Sequence, residues 1–364
     1  MGIKRDLKRE GIEIITSMDT LTINNLAKNI ADTLSKNFPE LNLDTKSLFM
    51  RISRLNMYFA KLPQGVSAKY FYKNKTIYFS CNIEQKDLAN VAIHECIHYL
   101  QEKTEKSGEI IRLGLCDYTD GNLPGTGLNE AAVQLMAAKC AGNKYENEKY
   151  FDIEISTNTP TYYPLECALV KQMAYVIGEN VLFDSTLNAN NNFKDQYISL
   201  TSEKTFYIIQ KNIDLLVENQ EKLEMIYSDL QEFDTDEYFA KKCIKEIEKQ
   251  KQKIRELFLG TQRLILTSYF DNAINLTYTP KLIENYRNKL YSFKNLLGNV
   301  EGDSFYNDYY IDKMMQLEKR YDIKNTEITD LVVVKHTFIS TLIRKLKTLF
   351  GFNPDYAEIK DRIK

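Results

Sequence analysis

Histidine is scarce in this sequence of 364 residues, and tryptophan is absent. The three histidines are His94, His98 and His336, so any histidine-based site has few residues to draw on. No C-x-x-C pair and no zinc-knuckle spacing occurs, which excludes the common cysteine-based zinc modules. In a chain of this length, isolated cysteines predict buried free thiols in a reducing compartment; they are Cys81, Cys96, Cys116, Cys140, Cys167 and Cys243.

Long apolar runs and an excess charge of one sign are missing too. No apolar segment approaches the roughly 18 residues that a membrane-spanning helix needs. The first residues, MGIKRDLKREGIEI, lack the apolar core of a secretory signal, and Asp6 stands where a myristoylation signal requires Ser or Thr. A net charge of −2 gives no reason to expect a nucleic-acid partner. We therefore expect a cytoplasmic protein.

The first 150 residues mix helical and strand patterns. Residues 20–62 carry two helical patterns, each ending before a proline. The segment Ser67–Ser80 is rich in aromatic residues and is divided by a polar tip, which predicts a β-hairpin. A helix is expected from about Ile83 to Lys106. After a glycine-rich loop, the segment LNEAAVQLMAAKCA predicts another helix, which ends at Gly142.

Beyond residue 200 the pattern is mainly helical. Apolar residues recur at intervals of three and four through 206–230 and 238–258, which predicts a long antiparallel helical hairpin. Residues 335–352 combine an apolar face with a basic face and contain no acid. Such a helix either packs on its own domain or lies on a membrane surface, so a peripheral membrane contact through 335–352 stays open.

The segment NVAIHECIHYLQ, residues 90–101, places two of the three histidines four positions apart within a predicted helix. Residues i and i+4 lie on the same helix face, so His94 and His98 can bind one metal ion together. Glu95 lies about 100° around the helix, where its carboxylate can reach a metal-bound water without binding the metal. This H-E-x-x-H pattern indicates metal-assisted hydrolysis; the plainer interpretation is a pair of surface or capping histidines.

A catalytic zinc site needs a third protein ligand and an open fourth position. His336 lies far along the chain on an unrelated predicted helix, so a carboxylate is the expected third ligand. Glu130, in the segment GLNEAAVQ at the start of a helix, is the candidate, although an acid there also suits the helix dipole. Other acids are weaker candidates, in the intervening segment or on a later helical pattern: Glu109, Asp117, Asp120 and Glu179.

The segments His94–His98 and Asn129–Gln134 resemble the gluzincin class of zinc metallopeptidases, of which thermolysin is a familiar member. The resemblance covers about residues 65–180. It implies an α+β, zincin-like core with a small sheet, a Zn²⁺ held by the two histidines and Glu130, and Glu95 as the general base. The class often has an Asp four residues after the liganding Glu. Here Gln134 stands at that position; it can accept a hydrogen bond but carries no charge, and the gap from His98 to Glu130 is longer than in thermolysin.

The resemblance also implies two further parts of the site. Gluzincins commonly use a Tyr or a His to bind the oxyanion, and Tyr163 and Tyr118 are the candidates here. Zincins bind the substrate along a sheet edge, for which Lys75–Ser80 is the candidate strand. Cys96, two residues from each histidine, is expected to be a core thiol.

These patterns predict a metallopeptidase domain with N-terminal helices (1–200), a helical hairpin domain (201–330) and a basic amphipathic tail (331–364). The expected function is zinc-dependent hydrolysis of protein or peptide substrates by a metalloendopeptidase. The alternative is a non-catalytic, zincin-like regulatory protein whose helical domain engages a partner. The lack of a signal and the unpaired cysteines argue against a third possibility, a secreted effector.

Overall fold

A computed structural model of the chain describes residues 2–106, 109–117, 123–232 and 237–328. The fold is of the α+β class. Its helices are α1 (Ile3–Arg9), α2 (Thr20–Asn37), α3 (Thr45–Ile52), α4 (Gln85–Leu100), α5 (Thr126–Ala141), α6 (Pro164–Ile177), α7 (Glu179–Leu187), α8 (Asn192–Leu200), α9 (Glu203–Glu232), α10 (Glu237–Ala273), α11 (Pro280–Phe293) and α12 (Phe305–Ile328). Its strands are β1 (Glu13–Ser17), β2 (Asn56–Lys61), β3 (Ala68–Phe71), β4 (Thr76–Ser80), β5 (Glu102–Thr104), β6 (Ile110–Leu113), β7 (Cys116–Asp117), β8 (Glu146–Tyr150) and β9 (Ile153–Thr157).

The largest sheet has the strand order β1-β2-β4-β3. Strands β2 and β4 run parallel, whereas β1 and β3 pair antiparallel with their neighbours. The predicted hairpin across Ser67–Ser80 is confirmed as β3 and β4. The prediction that Lys75–Ser80 is the edge strand was wrong, because β4 is paired on both sides and is buried from Thr76 to Phe79. The edge strand beside the motif helix is β3.

Strand β2 occupies a segment that the sequence pattern assigned to a helix. Helix α3 ends at Ile52, and the prediction of helix as far as residue 62 was wrong. Met57 and Ala60 are buried in the strand, which lies between β1 and β4. A strand that is hydrogen-bonded on both sides is stabilised by partners remote in sequence, and these override local helical periodicity.

Helix α4 carries the H-E-x-x-H motif and is shorter than the predicted span to Lys106. It ends at Leu100 because Glu102–Thr104 form β5, which pairs with β6. Ala92, Ile93 and Ile97 are buried where α4 packs on α2, α5 and β3. The motif helix is therefore held in place by the core of the protein, with its histidine-bearing face turned toward α5.

Helix α5 follows the glycine-rich loop and ends as predicted at Gly142, which adopts the left-handed conformation with φ 68°. Ala131, Ala132, Ala137 and Ala138 are among its buried residues. Small side chains let neighbouring helices approach closely, and α5 packs against α4 on one side and α6 on another. Glu130 and Gln134 remain partly exposed on the side toward α4.

The predicted helical hairpin is confirmed as α9 and α10, which are antiparallel. Asn212 Nδ2 donates to Thr261 Oγ1 over 3.0 Å, and Gln250 Nε2 donates to Asn219 Oδ1 over 2.8 Å. The chain separates into two compact units, Met1–Tyr310 and Ile311–Lys364. The predicted boundary after residue 200 falls inside the first unit.

Helix α9 also holds the beginning of α5. The two carboxylate oxygens of Asp214 accept the backbone N–H groups of Gly125 and Gly127, each over 2.8 Å. Gly125 has φ 86°, and a Cβ there would collide with Gln210 of α9. A Cβ on Gly127 would lie 3.0 Å from the carbonyl oxygen of Ile213. Glycine at these two positions therefore permits the close contact between the hairpin and the helix that carries Glu130.

The cysteines follow the prediction only in part. All six are free thiols, and Cys96 is fully buried as expected. Cys81 is exposed and Cys140 is half-buried, so the expectation that every thiol is buried was wrong. Within the described ranges, no helix is both long enough and apolar enough to span a bilayer. The predicted tail at 331–364, including His336, lies outside the described residues.

Removal of the Asp214 carboxylate should destabilise the protein. Asp214→Ala leaves the Gly125 and Gly127 N–H groups without their acceptor, and we expect the free energy of unfolding to fall by about 1–3 kcal/mol. Urea denaturation followed by circular dichroism measures the loss. Asp229→Ala, at an exposed position of the same helix, is the control and should change stability by less than about 0.5 kcal/mol. Equal losses in the two variants would contradict the assigned role.

Candidate metal centre

The two histidines of the motif face each other one helical turn apart on α4. Their Nε2 atoms are 3.0 Å apart, and their ring centroids are 4.7 Å apart. Glu130 of α5 places Oε2 at 3.4 Å from Nε2 of His94 and 3.3 Å from Nε2 of His98. The structure thus brings together the three residues that the sequence predicted as metal ligands, and this group could hold a metal ion.

The spacing of these three atoms suits a tetrahedral ion. Ligands about 2.0–2.1 Å from a tetrahedral Zn²⁺ lie roughly 3.3–3.4 Å from one another. The observed separations of 3.0, 3.3 and 3.4 Å are close to the edges of one face of such a tetrahedron. The side chains of His94, His98 and Glu130 are 15%, 14% and 22% exposed, so each is largely buried but keeps some contact with solvent.

His94 is oriented by the neutral residue that the sequence analysis singled out. Oε1 of Gln134 lies 2.9 Å from Nδ1 of His94 and accepts its proton when that nitrogen is protonated. A hydrogen bond of this kind fixes the tautomer and leaves Nε2 free to bind a metal. Gln134 therefore takes the place of the acid expected in gluzincins, but without the charge that would make His94 more basic.

His98 is oriented by Gln101, which the sequence analysis missed. The amide of Gln101 lies 2.9 Å from Nδ1 of His98 and is almost fully buried. When the amide nitrogen faces the imidazole, Oε1 of Gln101 has no hydrogen-bond partner among the residues that the structure describes. Exchanging the amide nitrogen and oxygen lets Oε1 accept the proton of Nδ1, which again frees Nε2 of His98. The available signal was a polar residue three positions after His98, at the end of an apolar helix.

Glu130 and His98 shift each other's pKa values. Burial acts to raise the pKa of Glu130, but His98 and His94 outweigh it and hold that pKa well below its usual value. Burial acts to lower the pKa of His98, whereas the Glu130 carboxylate and its hydrogen bond raise it above the usual value. Glu130 is therefore an anion across the neutral range and an effective ligand for a hard or borderline cation.

Glu95 is held apart from the three ligands by the edge strand. It is 8% exposed, and its Oε2 accepts the backbone N–H of Tyr70 over 2.5 Å. Because β3 pairs only with β4, the Tyr70 N–H on its free side is available for this contact. The Tyr70 hydroxyl donates to Oε1 of Glu102 over 2.7 Å, which anchors the strand to the segment just after α4. Sequence analysis did not anticipate this support, since a backbone donor leaves no residue signature.

Tyr163 immediately precedes α6, and its backbone adopts the left-handed conformation with φ 53°. The Glu130 carboxylate, burial and the Glu95 carboxylate all raise the pKa of its hydroxyl, so the phenol lies within electrostatic range of both acids. The role of Tyr163 stays a prediction, supported by this electrostatic effect of the two carboxylates on its hydroxyl. The other candidate, Tyr118, lies outside the described residues.

The other carboxylates considered as ligands lie elsewhere or have other partners. Asp117 pairs with Arg112 over 2.6 Å. Glu179 lines a separate cleft, and Glu109 is not part of the metal-binding group. Asp120 falls outside the described residues.

Comparisons of the chain with protein-family models, with curated proteins and with solved structures give no significant match. The gluzincin resemblance therefore stays a prediction that depends on two short motifs. The distances between atoms of this chain are a separate observation, and they do not depend on similarity to any relative.

Two substitutions of Gln134 should differ in their effect on metal affinity. Gln134→Leu removes the acceptor for His94, and we expect Zn²⁺ affinity to fall by about 10–100-fold. Gln134→Glu supplies a charged acceptor at the same position, so affinity should be kept or increased. Competition with a zinc-chelating dye measures both. Zinc binding by the Leu variant as tight as that of the wild type would show that Gln134 does not support the ligand.

Proposed function

We propose that the protein is a zinc-dependent peptidase of the gluzincin type. The observation that carries the proposal is the spacing of His94, His98 and Glu130, together with a carboxylate, Glu95, that is adjacent to them but outside the ligand group. Two imidazoles and a carboxylate are the donor set of catalytic rather than structural zinc sites.

A zinc ion in this group would lower the pKa of a bound water toward about 7 and polarise the substrate carbonyl. The residues of the chain supply the rest. Glu95 acts as the general base, accepting the proton of the attacking water and passing it to the leaving amine. The Tyr70 N–H holds Oε2 of Glu95, so the other carboxylate oxygen is left for proton transfer.

The hydroxyl of Tyr163 is the proposed donor to the oxyanion that forms during peptide hydrolysis. Its pKa is raised by Glu130, by burial and by Glu95, so the phenol keeps its proton throughout the neutral and mildly alkaline range. A protonated hydroxyl can donate a hydrogen bond to an oxyanion, whereas a phenolate would repel it.

The open edge of the sheet favours an extended peptide as substrate. Strand β3 is paired on one side only, and its Tyr70 contacts Glu95 directly. A peptide that adds to this edge places its backbone beside the general base, which is how β-strand addition brings main-chain atoms to a site. This assigns to β3 the role that the sequence analysis assigned to the neighbouring strand.

A non-catalytic, metal-binding regulator is the second candidate. The neutral Gln134 favours it, because a less basic His94 makes a weaker ligand. The two candidates differ in one measurable property, hydrolysis by the zinc-loaded protein. Cytoplasmic localisation and the membrane contact through 335–352 remain predictions of the sequence.

The base assignment predicts the behaviour of Glu95→Gln. The variant keeps the three ligands, so its zinc affinity should be unchanged, while cleavage of a peptide library should slow by about 10²–10⁴-fold. Mass spectrometry of the library and metal analysis of the same samples measure both properties. Full cleavage by the variant would refute the role of Glu95. A zinc-loaded wild type that cleaves no peptide would favour the regulator instead.

The oxyanion assignment predicts that Tyr163→Phe lowers kcat by about 10²–10³-fold, with a small effect on KM. Tyr162→Phe is the matched control, because this neighbouring hydroxyl lies 2.7 Å from Ser67 Oγ. Steady-state kinetics on the best peptide of the library separate the two variants. An equal loss in both, or a loss confined to KM, would contradict the assignment.

A further inference from the structure

A cavity lies on the far side of α5 from the metal centre. It is a cleft of about 240 Å³ between α5, α6 and α7. At about 100° per residue, Leu135 and Lys139 face away from Glu130 on the same helix. The volume is below the roughly 300–1,000 Å³ of sites for drug-sized ligands, so it suits a small molecule.

Two partly buried lysines line this cleft. Lys139 Nζ lies 5.0 Å from the ring centre of Phe38 and 5.1 Å from that of Phe183. Lys171 Nζ lies 4.0 Å from the ring centre of Tyr145. Among the described residues, neither ammonium group has a carboxylate within 4.0 Å. Burial lowers the pKa of Lys171, although the charge of the Glu179 carboxylate acts in the opposite direction.

A buried amide at the same cleft also lacks a partner. Asn158 is 7% exposed, and its Oδ1 has no hydrogen-bond partner in the described part of the chain. Its backbone oxygen accepts from Asn143 Nδ2 over 3.1 Å, which fixes the residue at the wall of the cleft. The amide nitrogen Nδ2 of Asn158 likewise has no partner among the described residues, and as a donor it can bond to an anion, which the acceptor Oδ1 cannot.

The charges of the residues that line the cleft indicate the charge of the ligand that it binds. Lys139 and Lys171 contribute two positive charges and Glu179 one negative charge, which leaves the cleft with a net charge of +1. Leu182 and Phe183 add a buried apolar wall. An anion with a compact apolar body complements both features.

We infer that the cleft between α5, α6 and α7 is a binding site for a small organic anion. The anionic group lies between Lys139 and Lys171 and bonds to the amide of Asn158, and the apolar body packs on Phe183. A carboxylate and a phosphate monoester share this chemistry. The site does not depend on the proposed peptidase activity, since none of its residues belongs to the metal centre.

Benzoate, phenyl phosphate and the neutral analogue benzamide are the probes, titrated into the full-length protein and followed by saturation-transfer NMR. We expect one of the two anions to bind and benzamide not to bind. Lys171→Gln and Lys139→Gln should each weaken that binding by about tenfold or more, because each removes a charge-assisted contact. Lys144→Gln, which removes an exposed charge near the cleft without lining it, should leave binding unchanged.

One further variant and one rule of interpretation complete the test. His94→Ala should leave anion binding intact, which separates this cleft from carboxylate binding at the metal centre. If Lys139→Gln lowers the thermal midpoint, Lys171→Gln decides alone, because Lys171 packs on an exposed tyrosine. The inference is overturned if neither anion binds, if benzamide binds equally well, or if Lys171→Gln binds like the wild type.

Discussion

Glu130 lies on a different helix from His94 and His98, so the candidate metal centre depends on the contact between α4 and α5. The 3.3 and 3.4 Å separations from Glu130 Oε2 to the two histidines set the spacing of the site. A shift of α5 by 1 Å would separate the carboxylate from the imidazoles. The alanine-rich, buried face of α5 and the packed core around α4 restrict such a shift.

The helical half of the protein contributes to that constraint. Asp214 of α9 binds the first backbone N–H groups of α5, five and three residues before Glu130. The glycines at those positions leave room for α9 to come close. The sheet supports the other side of the site, since β3 provides the N–H that holds Glu95. The helical hairpin and the metal-binding helices thus belong to one compact unit rather than to separate modules.

The pairing of the two histidines was predictable from the sequence because its signal is local. A spacing of four residues on a helix fixes the relative direction of His94 and His98, and the scarcity of histidine makes their pairing informative. The β3–β4 hairpin and the antiparallel α9–α10 pair were predicted from periodicity for the same reason, whereas the α+β class was implied by the gluzincin resemblance. What failed was long-range pairing. Strand β2 looked helical because its partners, β1 and β4, are distant in the chain. The edge of the sheet was assigned to β4 instead of β3, since strand order cannot be read from periodicity. The sequence analysis did not identify Gln101 or the Tyr70 N–H, because the contacts that orient a site residue form only in the folded chain.

The central claim is that His94, His98 and Glu130 bind one divalent ion. X-ray absorption spectroscopy of the protein loaded with one equivalent of Zn²⁺ tests it most directly. The account predicts a first shell of nitrogen and oxygen atoms at about 2.0–2.1 Å, multiple scattering from two imidazoles, and no sulfur. A shell containing sulfur, or one without imidazole scattering, would contradict it.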